Sequence, residues 1–207
     1  MVQKKSTAPS GRGRPRAYDP QVALQQATDR FWTSGYSGTS LDDIGAATGM
    51  NKPSLYAAFG GKHALYLMAL DGYWQRVLAA IREVLADDSR PLDEALLRAY
   101  EGQLSFYIPD DGPPRGCFAV GTATAEAVGD AEIRALLADG LSALDADLEA
   151  RFRRAREAGE LIADADPAAL AVLASAMLHT IAIRARAGVP RAELREMARK
   201  AVAAICG

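Results

Sequence analysis

Residues 39–62 read TSLDDIGAATGMNKPSLYAAFGGK, and few folds accommodate such a stretch. Ser40 is suited to cap a short helix whose apolar positions are Leu41, Ile44 and Ala47, and Gly49 to stop it. Asn51 is suited to cap a second short helix carrying Leu55 and Phe59, which the Gly60-Gly61 pair breaks. Two short helices around a tight glycine-containing turn make a helix-turn-helix pattern. A third helix precedes them. Asp19 is a natural N-cap, Pro20 fits the first helical position, and Ala23, Leu24, Ala27 and Phe31 recur at helical spacing until Gly35.

The remainder is also helical in pattern. Helices are expected near 63–86, 92–108, 116–128, 130–158, 167–187 and 190–205, separated by glycine, proline and aspartate clusters. No alternating strand pattern of any length is present, so the expected class is all-α, with a three-helix head that holds the helix-turn-helix and a larger helical body. The expected organisation is a disordered basic arm over 1–18, a helix-turn-helix domain over 19–62, and a helical domain over 63–207. Hydrophobic residues make up 49% and charged residues 24% of the 207, which excludes wholesale disorder and a fibrous chain. Cys117 and Cys206 exclude a disulfide framework. His63 and His179 are too few and too separated for a conventional metal site, so no metal or cofactor is expected. The basic first 20 residues lack the apolar run of a signal peptide, and a cytoplasmic location is expected.

A formal net charge of −2 conceals an asymmetry: residues 1–62 carry a balance of +4 and residues 63–207 a balance of −6. A basic head on an acidic body suits a polyanion at one end. A helix-turn-helix sets its second helix in the major groove, N-terminal residues first. Here those residues are Lys52, Pro53 and Ser54. Lys52 suits a phosphate or guanine, and Ser54 a base edge. Tyr56 follows Leu55, so its hydroxyl points away from the buried face and toward a phosphate. Ala57 and Ala58 are short enough for close approach to a thymine methyl. Helix N-termini near Thr39-Ser40 and Asn51 offer free N–H groups to phosphates, and Lys62 adds another contact.

Together with Thr39, Ile44, Gly49, Leu55, Tyr56, Phe59 and Lys62, the stretch through HALY resembles the DNA-binding domain of the TetR family of bacterial transcriptional regulators. The preceding helix, with Ala27, Phe31, Gly35 and Tyr36, fits as well, and the resemblance is strong over about residues 17–70. One departure is Gly45, where the family usually has Ala; a mid-helix glycine costs about 1 kcal/mol relative to Ala. The resemblance implies an all-helical homodimer that binds a palindromic double-stranded DNA operator. It also implies that 19–62 is a DNA-binding head and 63–207 a ligand-binding (effector-binding) and dimerisation domain, with a cavity for a small-molecule effector, unknown here, whose binding shifts the fourth helix and releases DNA. Its last two helices are implied to pair across the dimer as a four-helix bundle.

Arg12 and Arg14 lie in GRGRPR, which resembles the core of an AT-hook and suits a narrow minor groove. Tyr73, Trp74, Tyr100, Leu104, Tyr107, Cys117, Phe118, Met177 and His179 are the expected effector-binding residues. Cys117 begins the expected helix 116–128, where a helix N-terminus and Arg115 would lower its pKa, against the plainer reading of a small buried hydrophobe. The segment 167–183 has no charge and, at about 17 residues, is shorter than a bilayer span requires. A subunit interface over Leu170, Ala174, Met177, Ile181, Leu194, Ala198, Ala201 and Ile205 is its expected cover, with no membrane partner. The competing reading is a helical small-molecule-binding protein or an enzyme using Cys117 and His179, without DNA recognition.

Overall fold

The computed structural model describes residues 18–207. The arm with Arg12 and Arg14 lies outside the described residues. Helix α1 (Pro20–Ser34) begins where the Asp19 carboxylate accepts from the Gln21 and Val22 N–H groups and ends at Gly35. Helix α2 (Leu41–Thr48) opens with a reciprocal box: Ser40 accepts from the Asp43 N–H, and the Asp43 carboxylate accepts from the Ser40 N–H. Its stop, Gly49, has φ 67°, the left-handed conformation that lets the chain turn sharply into the next helix. Helix α3 (Lys52–Phe59) is capped by Asn51, with Pro53 in its first turn. Phe31, Ile44, Met50, Leu55, Phe59 and Leu65 are all buried and form the core beneath these helices.

The body comprises α4 (Lys62–Leu85), α5 (Leu92–Tyr107), a π-helical turn (Ala119–Ala123) running into the short α6 (Thr124–Glu126), α7 (Ala131–Glu157), α8 (Pro167–Arg186) and α9 (Arg191–Cys206). Among the described residues there is no strand. The expected helix 116–128 is the one segment that differs in kind. Its first helical residue is Phe118, so Cys117 lies just before the helix, and the next residues take the wider π turn. Such turns occur mostly as single turns inside α-helices, frequently at functional sites.

Helix α8 packs on α7, α5 and α9, and α4 packs on α5 and α7. The α4–α7 contact depends on Gly140, since a Cβ there would lie 2.1 Å from the Trp74 ring. Head and body share one aromatic chain. Phe31 meets Tyr66 edge-on at 5.1 Å, Tyr66 lies 5.7 Å from Phe118, and Phe118 lies 5.6 Å from Tyr73. The Tyr66 hydroxyl and the Thr122 hydroxyl are 2.7 Å apart, and Trp32 Nε1 donates to the Gly116 carbonyl at 3.1 Å. Burial pushes the Tyr66 hydroxyl up to about 12. The first turns of the body therefore sit on the floor of the head.

Candidate nucleic-acid interface and effector core

Helix α3 buries Leu55 and Phe59 and turns Asn51, Lys52, Pro53, Tyr56 and Ala57 to solvent. Tyr56 is 56% exposed, which is unusual for so large a ring on an eight-residue helix. Its ring also lies against Gly61, where a Cβ would sit 3.0 Å from Tyr56 Cε1. Ser54 is half-buried, and its backbone N–H donates to the Asn51 cap. Lys52 Nζ lies 2.9 Å from the Asp42 carboxylate, an exposed pair that a phosphate can displace at little cost. Lys62 is half-buried with its ammonium over the Tyr36 ring, 4.3 Å from the centroid. Thr39 is different from the rest of the set. It is buried, and its hydroxyl donates to the Gly35 carbonyl at 2.7 Å, so it shapes the approach to α2 and presents no side chain at the surface. The Ser40 hydroxyl is held 2.6 Å from the Asp43 carboxylate.

Gly45 has a local reason. A Cβ there would lie 2.7 Å from the Met50 carbonyl oxygen, a backbone atom with little freedom to withdraw. The glycine that costs helix propensity lets α2 approach the turn that follows it.

The expected effector residues form a packed core. Tyr73, Trp74, Tyr100, Leu104, Tyr107, Cys117 and Phe118 are all buried, while Met177 and His179 are half-buried. Tyr100 donates to the Ala174 carbonyl at 3.1 Å. Burial holds the Tyr73, Tyr100 and Tyr107 hydroxyls above their ordinary range. Burial also lowers His179, with Asp145 opposing. Sequence reasoning missed Gln103, which is buried with Oε1 unpartnered; Trp74 Nε1 is likewise buried without a partner. Trp74 precedes the end of α4 at Leu85, and Gln103 follows the start of α5 at Leu92, by the same number of residues. A cleft of about 320 Å³ opens between the π turn and α8, lined by Cys117, Val120, Gly121, Ala182, Ile183 and Arg186 among others.

Of the two readings of Cys117, the geometry fits the plainer one, a small buried side chain, and not an activated thiol. Arg115 is drawn off: its guanidinium stacks 3.9 Å from the Trp32 ring centroid and its Nη1 bonds Asp29 at 3.0 Å. The thiol accepts from the Tyr73 hydroxyl at 3.0 Å and from the Val120 N–H at 3.4 Å, yet burial dominates and pushes it up. Those partners leave His179 out of the thiol's hydrogen bonds.

Half of the expected interface residues face inward. Ala174, Ile181, Leu194 and Ala198 are buried within the single chain, because α8 and α9 turn those positions toward α7, α5 and each other. Leu170, Met177, Ala201 and Ile205 remain half-buried. The apolar positions that α8 leaves open are Val172, Leu173 and Ile183, each more than 50% exposed, together with Ala176. At 100° per residue these fall on one side of the helix, opposite the buried set.

Residues 23–69 match the family description "Bacterial regulatory proteins, tetR family", and residues 94–202 match "Tetracyclin repressor-like, C-terminal domain". The chain is 29% identical over 187 residues to the HTH-type transcriptional repressor ComR of Escherichia coli K12, covering 90% of this chain and 89% of the other. It superposes with a TM-score of 0.80 on a cysteine-substituted TetR family regulator, CifR, in complex with 26-base-pair operator DNA. There the identity is 34%, with 93% of this chain and 99% of that one covered. The reduced form of Escherichia coli NemR shares the fold with a TM-score of 0.77 at 19% identity, covering 91% of this chain and 97% of that one. One description spans the capped three-helix head and another most of the helical body, so the chain belongs to the TetR family of bacterial transcriptional regulators.

Proposed function

We propose that the chain is a cytoplasmic, effector-released repressor that reads DNA through the N-terminal half of α3. The observation that carries this is the exposed set Lys52, Pro53, Tyr56 and Ala57 on a helix anchored from below by Leu55 and Phe59. Asn51, Ser54 and Lys62 flank it, and the Thr39–Ser40 corner presents its α2 backbone N–H groups to a phosphate. Lys62 leaves the Tyr36 ring to meet DNA. Arg12 and Arg14, in the arm over 1–18, follow the adjacent minor groove. The head spans 19–62 and the body 63–207. CifR, at 34% identity, was solved on operator DNA, which supports the same use of this head. A gel shift on DNA flanking the protein's own gene tests it. Lys52→Ala and Tyr56→Phe weaken a retarded band; a wild-type protein that retards operator and unrelated DNA equally overturns the reading.

Two chains pair through the open side of α8 and the Met197, Ala201, Ala204 and Ile205 strip of α9. That pairing covers an apolar patch of a kind soluble monomers rarely expose. It also accounts for α8, a 20-residue helix whose most apolar 18-residue window has a mean hydropathy of 1.7, without a membrane. The effector enters by the Cys117 cleft and parts the core of Tyr73, Trp74, Tyr100, Leu104, Tyr107 and Phe118. Met177 and His179 stand at the α8 side of that core. A buried donor on Trp74 and a buried acceptor on Gln103, both unpartnered, support a small molecule that carries one acceptor and one donor. The role is regulatory and not enzymatic: the raised Cys117 thiol and the neutral-favouring His179 share no hydrogen bond that would make a nucleophile–base pair.

A further inference from the structure

We propose that His63, Asp130 and Glu132 form a site for a divalent transition-metal ion that fastens the DNA-reading head to the body. His63 is the second residue of α4, two residues past the α3–α4 break. Asp130 caps α7, and Glu132 stands in its first turn. The three are brought together from 67 residues apart: His63 Nε2 lies 2.7 Å from Asp130 Oδ2, and His63 Nδ1 lies 3.8 Å from Glu132 Oε2. One ligand atom from each residue falls within 4.8 Å of the others. An imidazole nitrogen with two carboxylate oxygens suits Zn²⁺, Co²⁺ or Ni²⁺, with water completing the shell.

An imidazole gives a metal ion one nitrogen; Asp130 faces Nε2 and Glu132 faces Nδ1, so an ion on Nε2 keeps Asp130 nearly in place and draws Glu132 round to that edge of the ring. Ligands on a tetrahedral ion with ~2.0–2.2 Å bonds sit about 3.3 Å apart, so the His63–Asp130 contact opens by roughly 0.6 Å. Glu132 is largely exposed and free to swing inward. Asp130 is already oriented, because its other oxygen accepts from the Glu132 and Ile133 N–H groups at 3.0 Å. Such outer hydrogen bonds fix ligand carboxylates in metal sites.

The surrounding charge favours a cation. Glu126 reaches the same corner, where it accepts from the Ser37 hydroxyl at 2.7 Å. Of the nearby cations, Lys62 is turned onto Tyr36, and Arg134 onto the Ala127 and Val128 carbonyls. Three carboxylates therefore share the corner with His63.

An ion here would cross-link the first turn of the helix that follows α3 to the start of α7. Occupancy would fix how the head sits on the body, and any effect on operator affinity would be returned as an equal effect of operator on metal affinity. The site uses carboxylates in place of a second histidine, so it lacks the paired His and Cys spacing of most zinc sites.

The test is calorimetric titration of Zn²⁺, and of Co²⁺ with visible absorption, into full-length protein stripped with a chelator. One ion per chain is expected at this site. Asp130→Asn keeps an acceptor for the α7 cap, and Glu132→Gln touches no other element. Each should weaken binding by at least the roughly 10–100-fold that loss of an outer hydrogen-bond partner costs, and Glu132→Gln should leave the metal-free melting temperature unchanged. His63→Ala should remove the Co²⁺ band. Equal affinity in wild type, Glu132→Gln and His63→Ala overturns the site. In gel shifts at constant ionic strength, Zn²⁺ should change operator affinity of wild type and not of Glu132→Gln; the same response in both overturns the link to DNA.

Discussion

Replacing Gly140 by Ala tests the packing that joins α4 to α7. The added Cβ would stand 2.1 Å from Trp74 Cε2, 2.3 Å from Cδ2 and 2.4 Å from Nε1, all atoms of one rigid ring. Ordinary contact begins near 3.4 Å, so ring and helix must separate by roughly 1.3 Å. Trp74 has little room to yield, being buried and set edge-on against Tyr73 at 5.8 Å. Against a rigid ring with little room to yield, overpacking falls at the upper end of its usual range, at about 2–3 kcal/mol. Against it stands the helix preference for Ala over Gly, about 1 kcal/mol at a mid-helix position. The net expectation is a loss of about 1–2 kcal/mol, or a fall in Tm of about 2–8 °C for a chain of this size. Thermal and urea unfolding at one fixed protein concentration measure it, since subunit association shifts apparent stability. The same substitution in a Trp74→Leu background should be neutral or stabilising, giving a coupling energy of about 1–3 kcal/mol. A Gly140→Ala protein as stable as wild type, or equally destabilised in both backgrounds, refutes the reasoning.

Three further outcomes follow from the geometry. Leu173→Glu and Ile183→Glu, at positions open in the single chain, should leave each subunit folded but raise the dimer dissociation constant by about 100-fold or more, as an unpaired carboxylate at the seam costs several kcal/mol. Sedimentation reads this, and a tight Leu173→Glu dimer contradicts it, whereas Ala174→Glu, fully buried, should unfold the subunit itself. His179 has a folded pKa below its ordinary value, so the unfolded chain binds the extra proton; stability from this residue is complete above about pH 6.5 and is lost as pH falls below it. His179→Gln should flatten the fall in Tm between about pH 7 and 5, and an unchanged slope would rule this out. Both thiols should resist alkylation at pH 8, since burial raises Cys117 and holds Cys206 up at about 11, leaving Cys206 roughly 100-fold less thiolate than in the urea-unfolded chain; equal rates in the two states would contradict the burial.

Local chemistry made the head legible in the sequence. The caps at Asp19, Ser40 and Asn51, Pro20 and the stops at Gly35, Gly49 and Gly60 each act within a few residues, so their pattern survives without knowledge of the fold. The boundaries of the six body segments were legible for the same reason, apart from the π turn after Phe118. Gly45 was legible only as a cost, because the Met50 carbonyl it accommodates is brought close by the turn. The limits of α8 were clear and its orientation was not: a helix apolar on every side gives no sign that Ala174 and Ile181 face inward while Leu173 and Ile183 face out. Tyr73, Tyr100 and Phe118 were expected at a pocket, but residue type does not distinguish a cavity lining from close packing: Tyr73 and Phe118 join the aromatic chain, and Tyr100 bonds the Ala174 carbonyl. The meeting of His63 with Asp130 depends on tertiary packing across 67 residues and has no local signature.

Selection of DNA sites from a random pool, followed by sequencing, tests the central claim most directly. A dimer presenting two α3 helices about a two-fold axis should enrich a near-palindrome whose half-sites lie in successive major grooves, about 10 base pairs apart or a multiple of that. Full-length protein should bind the recovered site as symmetric pairs of chains, and Tyr56→Phe with Lys52→Ala should lose most of the enrichment. Enriched sites without two-fold symmetry, or one chain bound tightly to a single half-site, would contradict the account.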